Sequence, residues 1–106
     1  IIETIEDMEK NELIGPIVSH AGDGNFHVAL LIDKKNQVEL DKLDSFLVRI
    51  SERAIRMNGT CTGEHGVGQG KRKYMLKELG NAVDVMKKVK NAFDPKKIMN
   101  PGKLFL

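Results

Sequence analysis

Two histidines seven residues apart, in a glycine-rich segment, are the residues in this chain best suited to chemistry. The segment reads HAGDGNFH at residues 20–27, so it begins with His20 and ends with His27. A second glycine-rich segment, TGEHGVG at residues 62–68, contains Glu64 and His65. A catalytic metal ion is held by two or three nitrogen or oxygen ligands and keeps one position open for substrate. The two segments offer such a set, with one imidazole to spare.

The spacing of the two histidines favours a β-hairpin over a helix. The intervening residues 22–25, GDGN, would make a poor helix interior. Val18 and residues 26–32 instead favour strands joined by a turn, in which Asp23 has the ordinary turn role of aspartate before glycine. In such a hairpin the two imidazoles can converge across the turn, whereas Glu64 must arrive from a separate segment. Two imidazoles and a carboxylate suit zinc, manganese or iron, and ligand type alone does not choose among them.

The surrounding sequence predicts an α+β fold in which helices pack with a small antiparallel sheet. Three-four spacing of apolar residues indicates the helices, and Gly, Pro and Asn-Gly punctuation marks their ends. In the first helix we expect the acidic residues to lie opposite the apolar face. In chain order, the predicted elements are a helix at 1–13, strands at 16–20 and 26–32, a helix at 39–57, a short strand at 60–62, helices at 71–79 and 82–93, and an extended tail at 98–106.

Length and composition limit the class of protein. With 106 residues the chain is at most one small domain, and 41% hydrophobic and 30% charged residues are typical of a folded globular segment. A formal charge of +2 and the absence of tryptophan argue against nucleic acid as a partner. The sequence shows no signal-peptide pattern and no apolar stretch of transmembrane length. The single cysteine, Cys61, is interpreted as a buried packing residue.

Three motifs in order, HAGDGNFH, GEHGVG and the NPGK of residues 100–103, give the chain a family resemblance. It resembles the C-terminal part of FAD-linked 2-hydroxy-acid oxidoreductases. These are the D-lactate dehydrogenase (cytochrome) and glycolate oxidase FAD-subunit group of the vanillyl-alcohol-oxidase flavoprotein superfamily. The resemblance covers essentially the whole chain. It implies a ferredoxin-like C-terminal domain, in an enzyme that oxidises a D-2-hydroxy acid of the lactate or glycolate class to the 2-oxo acid with hydride transfer to FAD.

The resemblance also implies roles for individual residues. His20, His27 and Glu64 occupy the positions that bind a divalent ion in metal-dependent members of the family. His65 occupies the position of the general base, a role suited to imidazole because it ordinarily titrates near neutrality. Asn100 occupies a position beside the flavin and is the candidate cofactor contact.

The resemblance further implies the context in which the chain works. Family members are several times longer and carry an FAD-binding domain upstream, so we expect residues 1–106 to be the C-terminal substrate- and metal-side fragment, with the FAD-binding domain absent. The expected partners are that missing domain and a small 2-hydroxy acid, and neither the electron acceptor nor the compartment is indicated. D-2-hydroxyglutarate dehydrogenases usually carry asparagine where this chain has Ala29, which favours the lactate or glycolate branch. The fragment alone is expected to be inactive.

Other functions fit the same ligand set. The two histidines and Glu64 would also serve a stand-alone divalent-metal-binding module, or a small metallohydrolase in which the ion activates water. The metallohydrolase lacks the HExxH helix that such enzymes often use. An unpaired strand edge would allow the fragment to associate with itself. An FAD-binding domain encoded upstream would distinguish the flavoenzyme from the metal module and the hydrolase.

Several nearby patterns have ordinary interpretations. A single histidine is more often a surface or hydrogen-bonded residue than a ligand, so the metal hypothesis depends on the combination. The run GVGQGK at residues 66–71 fails both the dinucleotide fingerprint and the Walker A pattern. The basic runs at 71–73 and 87–90 are more typical of a solvated helix face than of an anion site. Lys71, nearest the motif, could attract a carboxylate substrate.

Overall fold

The computed structural model of the protein describes residues 1–105, which fall into two compact units divided between Arg53 and Ala54. Leu106, the last residue of the predicted tail, lies outside the described part. No helix among the described residues is both long enough and apolar enough to cross a membrane. The elements are α1 (Ile2–Lys10), β1 (Ile17–His20), β2 (Asn25–Val28), α2 (Gln37–Arg56), α3 (Met75–Leu79) and α4 (Ala82–Phe93).

The first unit contains the predicted hairpin. Strands β1 and β2 pair antiparallel, with Ile17 opposite Val28 and His20 opposite Asn25. Backbone hydrogen bonds continue beyond the strands, because the Leu31 N–H donates to the Ile14 carbonyl oxygen at 2.8 Å. The regular strand β2 (Asn25–Val28) is therefore shorter than the predicted strand 26–32, although backbone hydrogen bonds to the preceding segment continue as far as Leu31.

Two helices cover one face of this hairpin. Phe46 of α2 is 1% exposed and forms the core of the first unit with Met8 and Leu13. Alternate hairpin residues pack against this cluster: Ile17, Val28, Leu30 and Ile32. Complete burial of a phenylalanine side chain contributes about 2 kcal/mol. Helices packed with a small antiparallel sheet confirm the predicted α+β class.

A carboxylate is buried between the two helices of the first unit. The side chain of Asp7 is 7% exposed and accepts hydrogen bonds from Arg49 Nη2 at 2.7 Å and Arg53 Nη2 at 2.9 Å. Arg53 also donates to the hydroxyl of Thr4, another buried polar residue. The prediction that the acids of α1 lie opposite its buried face is therefore wrong for Asp7, because two arginines one turn apart on α2 neutralise it.

In the second unit, the helices begin and end close to where the sequence predicts. Helix α4 has the predicted bounds, and a 3₁₀ turn at Arg72–Tyr74 leads into α3 within the predicted helix 71–79. Buried side chains of this unit include Tyr74, Met75 and Val83. After α4, the buried Asp94 carboxylate accepts hydrogen bonds from the N–H groups of Ile98 and Met99, each at 3.0 Å, and from the ammonium of Lys90.

Two predictions for the second unit are wrong. Residues 60–62 are not a strand: residues 61 and 62 form a bend, and side chains accept the hydrogen bonds of both their backbone N–H groups. The Cys61 N–H donates to Glu78 Oε2 at 3.0 Å, and the Thr62 N–H donates to the Thr60 hydroxyl at 3.3 Å. Residues 99–104 form turns and bends rather than an extended tail, with φ of 47° at Asn100 and 68° at Leu104.

Replacing Gly15 by alanine should destabilise the first unit. A Cβ at this position would lie 2.2 Å from the Ala29 carbonyl oxygen, which is backbone and cannot move aside independently. We expect a loss of about 2–3 kcal/mol in the free energy of unfolding, measured by chemical denaturation. Gly22→Ala is the matched control because nothing lies within 4 Å of its added Cβ. Equal stability of the two variants would contradict this account of Gly15.

Replacing Asp7 by asparagine should lower stability and weaken its dependence on acid pH. The hydrogen bond from Arg49 holds the pKa of Asp7 below its ordinary value, assisted by Arg53 and opposed by burial. Because the folded state binds its proton less readily, Asp7 stabilises the fold above the unfolded-state pKa of about 4, and this stability disappears as the pH falls toward the folded pKa.

Chemical denaturation between pH 7 and pH 2 measures this effect. We expect Asp7→Asn to lose about 2–3 kcal/mol at pH 7 and to show a shallower decline on acidification. Glu12→Gln is the control, because it removes an exposed ion pair with Lys42 that is worth at most about 1 kcal/mol. If Asp7→Asn left the decline of unfolding free energy between pH 7 and pH 2 unchanged, the interaction of Asp7 with its two arginines would not govern stability in acid.

Candidate functional site

The first unit brings His20 and His27 together as the sequence predicts. Their ring centroids are 5.7 Å apart, and the rings meet edge to face with an interplanar angle of 85°. His20 is exposed and His27 is half-buried. Two imidazoles this close can turn one nitrogen each toward a shared ion, which is the arrangement that a two-histidine metal site requires.

The register of the hairpin explains why the rings meet. His27 lies directly opposite Val18. His20 is two residues beyond Val18, so it projects from the same face of the sheet and is a diagonal neighbour of His27. The opposite face carries Ile17 and Val28, which pack against the core. One face of the hairpin is thus fixed by burial, and the other presents the histidines.

The turn between the histidines is tight and glycine-dependent. Residues Ala21–Asp23 form a 3₁₀ turn, and Gly24 closes it in the left-handed conformation with φ of 66°. The Gly24 N–H donates to the Ala21 carbonyl oxygen at 3.2 Å. Asp23 lies in this turn and is exposed, in keeping with the turn role predicted for it.

The second unit presents Glu64 and His65 on a loop of residues 62–70, which we call the motif loop. Their side chains are 50% and 75% exposed, and Glu64 Oε1 lies 3.4 Å from His65 Nε2. The flanking Gly63 and Gly66 have φ of 53° and 76°, a conformation that other residues rarely adopt. Gly63 and Gly66 are therefore required by the backbone that presents Glu64 and His65.

The base of the motif loop contains a buried thiol between two charged groups. Burial, together with the neighbouring Glu78, raises the pKa of Cys61 to about 11. Burial alone would raise the pKa of Glu78 as well, but hydrogen bonds from the Cys61 N–H and the Thr60 hydroxyl lower it. Lys71 Nζ donates to the Cys61 carbonyl oxygen. Cys61 is the buried packing residue that the sequence predicts, with an un-ionised thiol near neutral pH.

Asn100 lies in an exposed turn of the tail, which is fastened to the motif loop. The Leu104 N–H donates to the Gly68 carbonyl oxygen at 2.8 Å. Arg72 Nη1 donates to the Gly102 carbonyl oxygen at 3.0 Å. The basic run at 71–73 is therefore only partly the solvated face that its composition favours, because Lys71 and Arg72 both donate to backbone oxygens.

Comparison with known proteins identifies the family. The family model for the C-terminal domain of FAD linked oxidases matches residues 1–104. This chain belongs to that family. The histidine pair, the motif loop and Asn100 all lie within the matched FAD-linked oxidase C-terminal domain.

Curated relatives of this FAD-linked oxidase domain are named as dehydrogenases and an oxidase subunit. The chain is 47% identical over 105 residues to the probable mitochondrial D-lactate dehydrogenase of Danio rerio, covering 98% of the chain and 21% of that protein. It is 52% identical over 106 residues to the mitochondrial D-lactate dehydrogenase (cytochrome) 1 of Saccharomyces cerevisiae, covering 99% and 18%. It is 46% identical over 87 residues to the glycolate oxidase subunit GlcD of Bacillus subtilis, covering 81% and 18%. The chain therefore spans about a fifth of the length of these relatives.

Sequence reasoning missed the groups that hold the motif loop in this FAD-linked oxidase domain. The position of Lys71, directly after the last glycine of the motif, indicates a role near the site. Its charge, however, favours the interpretation that it attracts a carboxylate substrate rather than bonding to the backbone. Nothing in the sequence indicates a role for Glu78, because a glutamate on a short helix is ordinarily a surface residue. Its hydrogen bond to the Cys61 N–H joins positions 17 residues apart and is visible only in the folded unit.

Proposed function

We propose that this chain is the substrate- and metal-side domain of an FAD-dependent enzyme that oxidises a D-2-hydroxy acid of the lactate or glycolate class to the 2-oxo acid. The observation that carries the proposal is the family match over residues 1–104. Relatives named as D-lactate dehydrogenases and a glycolate oxidase subunit support the substrate class. The proposal includes an FAD-binding domain as the partner of this one, and without it the chain should have no turnover.

His20, His27 and Glu64 are the proposed ligands of a divalent ion. The edge-to-face packing of the two imidazoles and the exposure of the Glu64 carboxylate support this assignment. The donor set, two nitrogens and one oxygen, suits zinc, manganese or iron and leaves room for a bidentate substrate. A bound ion would act as a Lewis acid on the hydroxyl and carboxylate oxygens of the 2-hydroxy acid.

His65 is the proposed general base. Oxidation of a 2-hydroxy acid removes a proton from the hydroxyl oxygen and a hydride from the adjacent carbon, so that a carbonyl forms. An imidazole nitrogen of His65 would take the hydroxyl proton, and its 75% exposed side chain leaves it accessible to an approaching substrate. FAD, when bound, would supply the hydride acceptor.

The remaining assignments concern specificity and cofactor contact. Asn100 is proposed to contact FAD, since its exposed position in a turn leaves its amide accessible to a partner. Ala29 in place of an asparagine supports the lactate or glycolate branch. Family membership supports the flavoenzyme over the stand-alone metal module and the metallohydrolase. Self-association of the chain stays a prediction.

The metal assignment is tested by the metal content and affinity of the purified chain. We expect about one divalent ion per chain after incubation with zinc or manganese, and a loss of affinity of at least about tenfold in each of His20→Ala, His27→Ala and Glu64→Gln. Asp23→Asn is the matched control, because it removes an exposed carboxylate from the same hairpin. Absence of binding in the parent chain, or an equal loss in Asp23→Asn, would contradict the proposed ligand set.

The general-base assignment is tested in the FAD-containing holoenzyme that carries this domain. We expect His65→Asn to slow flavin reduction by D-lactate or glycolate by about 10²–10⁴-fold, because proton transfer from the hydroxyl loses its acceptor. Stopped-flow absorbance of the flavin measures the rate, and equal FAD and metal contents serve as the control. Unchanged reduction in the variant would exclude His65 as the base, whereas a parent enzyme unreduced by any 2-hydroxy acid would refute the function itself.

A further inference from the structure

The motif loop has little packing of its own to hold it. Residues 62–70 include four glycines, and most of its side chains are exposed, including Glu64 and His65. Glycine loses more conformational entropy on ordering than any other residue, and an exposed loop gains little from burial in return. A fixed geometry at Glu64 and His65 therefore requires interactions at the ends of the loop.

Lys71 provides such an interaction. It immediately follows the motif loop, and its ammonium donates to the carbonyl oxygen of Cys61, which immediately precedes the loop. The bond therefore closes the loop across its base. Cys61 is 8% exposed, so the point to which the lysine is fastened is itself buried in the second unit.

Glu78 holds the other backbone group of the same residue. From α3 its carboxylate accepts the Cys61 N–H at 3.0 Å. The positive charge of Lys71 also helps to lower the pKa of Glu78, after the hydrogen bonds that Glu78 accepts. Both backbone polar groups of Cys61 are thus satisfied by charged side chains, and hydrogen bonds to charged groups are the stronger kind.

We propose that Lys71, supported by Glu78, is a positioning residue that closes the motif loop and pre-orders Glu64 and His65 for metal binding and proton transfer. This inference rests on the function proposed above for those two residues. It gives Lys71 a different role from attraction of a carboxylate substrate, because the ammonium is engaged with a backbone oxygen at the base of the loop. Groups that orient metal ligands from outside the coordination sphere typically change affinity by about 10–100-fold when removed.

The direction in which metal affinity changes on removing Lys71 distinguishes a positioning role from a purely electrostatic one. Removing a positive charge near a divalent ion should strengthen metal binding, since like charges repel. Removing a group that orders a ligand loop should weaken it. Lys73 offers a matched comparison because it is exposed, lies two residues away and contacts the ring of Tyr74 rather than the loop. Lys71→Met and Lys73→Met therefore each remove one positive charge, but only Lys71→Met removes the hydrogen bond that closes the motif loop.

Amide hydrogen exchange in the metal-free chain tests the closure itself. We expect Lys71→Met to accelerate exchange at Cys61 and His65 by at least about tenfold relative to Lys73→Met, with exchange in the first unit unchanged. Lys71→Arg should restore most of the protection, because a guanidinium can also donate to the Cys61 carbonyl oxygen. Equal exchange in Lys71→Met and Lys73→Met would overturn the proposal.

Manganese affinity then tests the functional consequence. We expect Lys71→Met to weaken binding by about tenfold, Lys71→Arg to restore it, and Lys73→Met to leave it unchanged or slightly stronger. Stronger binding in Lys71→Met would show that the lysine acts only through its charge and would overturn the proposal. If the parent chain binds no metal, the proposed ligand set has failed, and the exchange measurements alone decide whether Lys71 orders the loop.

Discussion

Glycine-rich backbone must be held in place by its neighbours, and this constraint governs both segments that carry candidate chemistry. Glycines allow the left-handed turns beside His20, Glu64 and His65, but they supply no side chains with which the turns could pack. The entropy lost on ordering them must be offset elsewhere in the same unit. Each unit of the chain meets this requirement by a different physical route.

The first unit uses the alternation of a β-hairpin. One face is buried against Met8, Leu13 and Phe46, which fixes the register, because a slip of one residue would turn the apolar side chains to solvent. With the register fixed, the opposite face must carry His20 and His27 as diagonal neighbours. Hydrophobic burial on one side of the sheet thus determines the geometry of the imidazoles on the other.

The second unit uses charged side chains on backbone atoms. Lys71, Arg72 and Glu78 bond to carbonyl or N–H groups in or beside the motif loop and the tail. These bonds act on the base of the loop and on the tail, and Glu64 and His65 in the loop remain exposed. If Glu64 and His65 have the roles proposed above, this order at the base of the loop matters for their chemistry, because metal coordination and proton transfer both demand accurate placement.

The sequence by itself determined the fold class, the family, the hairpin between the histidines and the bounds of α4, because each depends on local periodicity, turn chemistry or motif order. It could not determine which polar residues become buried. Asp7 is buried because it pairs with Arg49 and Arg53, which lie more than 40 residues later in the chain. Residues 60–62 do not form the predicted strand, and the N–H groups of Cys61 and Thr62 bond to side chains instead. Such long-range bonds exist only after the chain has folded, so only the tertiary structure decided them.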